Sequence, residues 1–258
     1  MPFLEHLDQL RWRLLKSMIA VVITSIVAFT FSDQLFGLIV APLEGKQLQA
    51  IDVTGEFYAF LKVSLITGVF AAVPIIFYQL WAFVSPGLYA EEKGSIIPLV
   101  IISSLLFLLG AGFCWWVVLP LSLTYLIGFS DGLILSQPTI GSYISFAGTL
   151  LIAFGLGFEM PVAAFFLGKI GILKSNFMCR GRRYAIVAIL IVAAILTPAD
   201  IFSQVMLAGP LYILYEISIL LVKSIERGKA RKAAALEAEE ANENNDNNEN
   251  SDNEFPMN

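Results

Sequence analysis

Six stretches of this chain stay apolar for so long that a lipid bilayer is the only solvent that suits them. They run from Leu14 to Phe31, Phe57 to Val84, Ile96 to Phe129, Tyr143 to Ile172, Tyr184 to Leu196 and Ile201 to Val222. A spanning helix needs about 20 mostly apolar residues. The runs are continuous rather than alternating, which argues against barrel strands. Hydrophobic residues make up 57% of the chain and charged residues 14%, a balance that excludes an ordinary soluble domain. The expected fold is all-α: a polytopic membrane protein of six transmembrane helices, the last two spans short. Residues 1–13 would form an amphipathic surface helix, residues 14–222 the membrane domain and residues 223–258 a basic, then acidic, disordered tail.

Lysine and arginine set the orientation. With the N-terminus inside, 14 of the 16 basic residues fall in inner segments, and only Lys46 and Lys62 remain on the far side. The positive-inside rule therefore predicts that both termini are cytoplasmic. The formal net charge of −5 hides this, because residues 233–258 hold eight acids and no base. A basic inner face suits anionic lipid, and no nucleic-acid module is recognisable. The segment Met1 to Arg11 is charged and lacks a small-residue cleavage site, so no signal peptide is expected. Cys114 and Cys179 are expected as free thiols.

The spans are unequal. The third covers 34 residues, about 50 Å of helix, and must tilt, kink at Pro98 or Pro120, or project from the membrane. The fifth covers 13 residues, about 20 Å, which predicts a thinned region or a hairpin that returns to the same side.

Polar residues in unusual places point to function. FVSPGLYAEEK, Phe83 to Lys93, joins the second and third spans. Paired acids Glu91 and Glu92 beside a Pro-Gly break suggest a docking point for a cationic ligand. Glu159 sits near the middle of the fourth span, where an ionised carboxylate is costly by a few kcal/mol, about 2.5–3.5 on insertion scales. It would be either a protonated acid bonded between helices or a polar spot offered to a partner or to protons. Asp200 in TPADIFSQ caps a helix start by default, and Gln204 one turn later faces the bundle or a cavity. His6 is the only histidine, so no triad, metal site or cofactor is expected, and catalysis has no support. On these residues alone, an ion-coupled small-solute transporter with Glu159 as proton carrier stays open.

Four segments in order and at matching spacing narrow that choice. HLDQLRWRL, FVSPGLYAEEK, SYISFAGTLLIAFGLGFEMPV and RRYAIVAILIVAAILTPADIFSQ followed by PLYILYEI resemble the TatC family, the multispanning receptor subunit of the twin-arginine protein translocase. The resemblance runs from His6 to about Val222. It implies no enzyme but a subunit that binds twin-arginine signal peptides and moves folded proteins using the proton motive force. It also implies partners of the TatA and TatB type, homo-oligomers within the complex and a bacterial inner membrane.

The resemblance assigns roles to residues. Glu92 would pair with signal-peptide arginine, with Phe83, Pro86, Tyr89 and Arg11 shaping the patch. A guanidinium suits a carboxylate bidentately. Gln9 stands where the family usually carries a second acid, and Glu5, four residues earlier on the same helical face, is the candidate substitute. Glu159 matches the family's intramembrane glutamate, expected to face a concave groove, and Gln204 and Asp200 match positions where partner spans dock.

Overall fold

The computed structural model describes residues 2–43, 48–49, 54–84, 96–128, 138–197 and 201–253. Helix α1 (Pro2–Phe29) carries the charged N-terminal segment straight into the first apolar run. A surface helix ending at residue 13 is expected from the charge pattern, but no glycine or proline follows Pro2 before Phe29, so nothing stops the helix. Helix α2 (Ser32–Val40), extended by a 3-10 turn at Ala41–Leu43, then lies at the far end of the bundle. Sequence patterning treats this segment as mere connection. Its last carbonyls are instead satisfied from elsewhere: Tyr143 Oη donates to Ile39 O at 2.6 Å and Trp115 Nε1 to Leu38 O at 3.0 Å.

Helix α3 (Gly55–Val84) returns antiparallel to α1. Thr24 Oγ1 donates to Gly68 O at 2.7 Å, and a Cβ on Gly68 would lie 2.1 Å from Ser25 Oγ. The missing side chain is what lets the two backbones meet, the small-residue device of membrane helices.

The long third span is α4 (Ile96–Phe113), a π-helical turn at Cys114–Val118, and α5 (Leu119–Gly128). Pro120 offers no amide hydrogen and its ring crowds the carbonyl of Trp116, so widening the turn just before it relieves the clash. The fourth span is also interrupted. Helix α6 (Ile140–Phe158) ends at Glu159, and α7 (Met160–Ile170) starts with Pro161 in its first turn. Gly171, at φ 90°, closes α7 in the left-handed conformation that favours glycine, and Leu167 O accepts from the amides of Gly171, Ile172 and Leu173.

Helices α8 (Ser175–Leu196) and α9 (Ile201–Asn253) form an antiparallel pair. The 13-residue apolar run is the second part of the 22-residue α8. Its first turns carry Arg180, Arg182 and Arg183, so the rod is longer than its apolar part. Helix α9 continues past Lys232 to Asn253, where composition predicts disorder. The run KAAALEAEEA is rich in strong helix formers and lacks glycine and proline, and that outweighs its polarity. Every side chain from Arg231 to Ala238 is exposed.

Five helical stretches, 7–29, 55–84, 96–126, 140–170 and 201–238, are long and apolar enough to cross a bilayer. Helix α8 lies antiparallel between the fourth and last of these crossings, so the fold is a six-span, multi-pass membrane protein. With an even number of passes, α1 begins at the same end at which α9 leaves the bundle, here called the terminal end. Phe154, Ile144 and Leu119 are fully buried where α5 and α6 meet the bundle. Among the described residues there is no strand, only an isolated bridge between Gln49 and Thr139 at the far end.

Candidate functional site

The terminal end of α1 and the last turns of α3 form a cleft of about 400 Å³. Gln9, Trp12, Arg13 and Lys16 line it from α1, and Tyr78 and Gln79 from α3. The register follows from the Thr24–Gly68 contact: Arg13 lies eleven residues before Thr24 and Gln79 eleven after Gly68. Gln9 and Arg11 are exposed, and Phe83 is half-buried in the last turn of α3. Of the remaining predicted docking residues, Pro86, Tyr89, Glu91 and Glu92 lie outside the described residues. Glu5 belongs to α1, but its side chain is outside them too, and so is Asp200.

Glu159 occupies the junction of α6 and α7 at mid-depth, half-buried. Its carboxyl faces Ser103 and the backbone of Phe107 on α4, while Oε1 is buried without a hydrogen-bond partner. Ser103 also accepts a hydrogen bond from Trp81 Nε1 at 3.1 Å. Trp81 packs edge-on against Phe166 of α7, ring centroids 4.8 Å apart. A polar thread therefore runs from the end of α3, through α4, to the broken fourth span. Patterning missed Trp81 and Ser103. The available signals were a tryptophan three residues before the end of a span and a Ser103-Ser104 pair in an aliphatic run.

On the α8 side of the fourth span lies a cavity whose lining does not include Glu159. The cavity, about 670 Å³, is lined by Leu156, Gly157 and Met160 with Ala188 and Val192 of α8 and Leu211 of α9, with Thr149 as its polar residue. Gln204 is half-buried and donates from Nε2 to Leu190 O at 3.0 Å, tying α9 to α8. Glu159, Gln204 and Gln9 thus occupy three separate levels of the bundle and are not brought together.

At the terminal end α8 is anchored by carboxylates of α9. Glu216 accepts from Arg182 Nη2 at 2.8 Å and from Tyr212 Oη at 2.9 Å. Glu226 accepts from the hydroxyl of Ser175, and from its backbone amide at 2.9 Å. Those two donors hold the Glu226 carboxyl below the usual carboxylate range. This acid at the first turn of α8 also complements the positive end of that helix. Lys62 donates from Nζ to Ser145 Oγ at 2.8 Å, linking α3 to α6.

Comparison with known proteins fits this arrangement. The family model for the Sec-independent protein translocase protein TatC matches residues 5–210. A protein of that name from Desulforapulum autotrophicum is 42% identical over 224 residues, covering 85% of this chain and 83% of the relative. The Aquifex aeolicus protein of the same name is 40% identical over 235 residues, covering 89% of this chain and 98% of the relative. Among solved structures, the twin arginine translocase receptor TatC superposes with a TM-score of 0.79 at 40% identity, covering 86% of this chain and 99% of that one. With motifs, helix order and topology all in agreement along most of its length, the chain belongs to the TatC family of Sec-independent protein translocase proteins.

Proposed function

We propose that this protein is the receptor and core subunit of a twin-arginine translocase in a bacterial inner membrane, with its terminal end in the cytoplasm. It binds twin-arginine signal peptides through Glu92, with Glu5, Gln9, Arg11, Phe83, Pro86 and Tyr89 shaping the patch. TatA-type and TatB-type single-span subunits then dock against its membrane surface, with Glu159, Gln204 and Asp200 at the levels where they engage. The proton motive force drives passage of folded proteins, and several copies share one complex. The observation that carries this reading is the meeting of α1's polar end with the last turns of α3, directly before the segment that holds Glu92. A guanidinium is always charged, so a carboxylate beside such a surface selects arginine over lysine by bidentate geometry.

The test is photo-crosslinking of a twin-arginine signal peptide to membranes containing the full chain. Crosslinks should form with the twin-arginine peptide, fall sharply with a twin-lysine peptide, and disappear in Glu92→Ala. Equal crosslinking by both peptides, or undiminished crosslinking to Glu92→Ala, would refute the assignment.

A further inference from the structure

We propose that the cleft between α1 and α3 at the terminal end is a binding site for the phosphate of an anionic phospholipid, held by Arg13 and Lys16. The cleft's lining gives the sign of its ligand. Arg13 and Lys16 contribute two positive charges and Asp8 one negative, so the space is cationic on balance. Neither base has an ion-pair partner among the described residues, where the bridge of Arg182 to Glu216 is a contrasting example. The Trp12 indole, the Tyr78 hydroxyl and the amides of Gln9 and Gln79 add hydrogen-bond donors around the same space. Signal-peptide arginines would pair with the carboxylate of Glu92 beyond the last turn of α3, whereas a phosphate oxygen suits the two cations inside the cleft.

Depth argues for a lipid as the source of the phosphate. The Thr24–Gly68 contact lies near the middle of both apolar runs. Eleven residues of helix from there to Arg13 and Gln79 is about 16 Å, roughly half of a hydrocarbon core about 30 Å thick. The cleft therefore opens at the headgroup level, where Trp and Tyr also concentrate. Stepping from Lys16 by three and four residues along the same helical face reaches Ile19, Ile23 and Val27, all exposed. Acyl chains have an apolar track leading directly from the site.

Native mass spectrometry of the full chain, released from detergent micelles containing equal phosphatidylglycerol and phosphatidylcholine, tests this. The wild type should retain phosphatidylglycerol preferentially. Arg13→Gln with Lys16→Gln should weaken that retention about twenty-fivefold, at about fivefold for each cation near a surface. Asp8→Asn should strengthen it, a gain that misfolding does not produce. Addition of inorganic phosphate at millimolar levels should not displace the lipid. Equal retention of the two lipids by the wild type, an unchanged preference in the double variant, or weaker retention in Asp8→Asn would overturn the proposal. Full displacement by inorganic phosphate would overturn the lipid as the occupant.

Discussion

Trp81 Nε1 donates to Ser103 Oγ across 3.1 Å, and Ser103, fully buried, in turn faces the carboxyl of Glu159. Three spans thus meet at one polar point inside a largely apolar bundle. Trp81→Phe and Ser103→Ala should each destabilise the protein. A double-mutant cycle, read by unfolding in mixed micelles, should give a coupling of about 0.6 kcal/mol and no more than about 1.7. A coupling indistinguishable from zero would show that the hydrogen bond contributes nothing to stability.

Gly110 and Gly112 sit two residues apart on α4 and should respond oppositely to a methyl group. A Cβ on Gly110 would lie 2.6 Å from the backbone oxygen of Phe154, whereas one on Gly112 meets nothing within 4 Å. Gly110→Ala should cost about 1–3 kcal/mol, since a backbone atom must move. Gly112→Ala should be neutral or slightly stabilising. Comparable melting temperatures for the two variants would contradict the packing of α4 on α6.

Gln9 makes the charge of Glu5 testable. If Glu5 supplies the missing carboxylate, Glu5→Gln should weaken signal-peptide binding by the loss of a charge-assisted contact, about 1.5–3 kcal/mol. Gln9→Glu in that background should restore part of it. An affinity unchanged by Glu5→Gln would leave recognition to Glu92 and its neighbours.

The Glu226–Ser175 contact predicts a pH dependence. The folded carboxyl titrates below its unfolded value because the Ser175 hydroxyl and amide donate to the ionised form. Its stabilisation is therefore present above the usual carboxylate range, near 4.3, and is lost as pH falls through the lower folded value. Ser175→Ala removes the hydroxyl donor and should shrink the difference in melting temperature between pH 6 and pH 3. An identical pH profile in wild type and variant would assign the acid sensitivity to other groups.

Truncation after Lys232 should leave transport nearly unchanged. The side chains from Ala233 to Ala238 are all exposed, so that stretch covers none of the bundle. Transport of a reporter fused to a twin-arginine signal peptide, at matched protein level, provides the readout. A marked defect would show that the acidic segment recruits a component.

The motifs at His6–Leu14, Phe83–Lys93 and Tyr143–Val162 could be read directly, because each depends on residue types at fixed short spacing. Glu159 was legible for the same reason: an acid in an apolar run stands out whatever surrounds it. Which way its side chain turns was not legible. In a helix hydrophobic all round, periodicity carries no information about facing. A cavity without Glu159 in its lining lies toward α8, while the carboxyl faces Ser103 on α4. Glu216 illustrates the same limit, since Lys223 is near it in sequence but Arg182 is nearer in space.

Local chemistry along the chain was enough to set the number of spans, the end at which basic residues gather and the helical class. Burying backbone polar groups in lipid leaves few alternatives to a helix. Only tertiary structure decided that α1 runs unbroken from residue 2 and that α2 packs its last carbonyls under Tyr143 and Trp115. The same holds for the thread from Trp81 through Ser103 to Glu159. These features depend on which helices approach one another closely. Close approach is set by the absence of side chains at positions such as Gly68 and Gly110, which only the packed bundle makes visible.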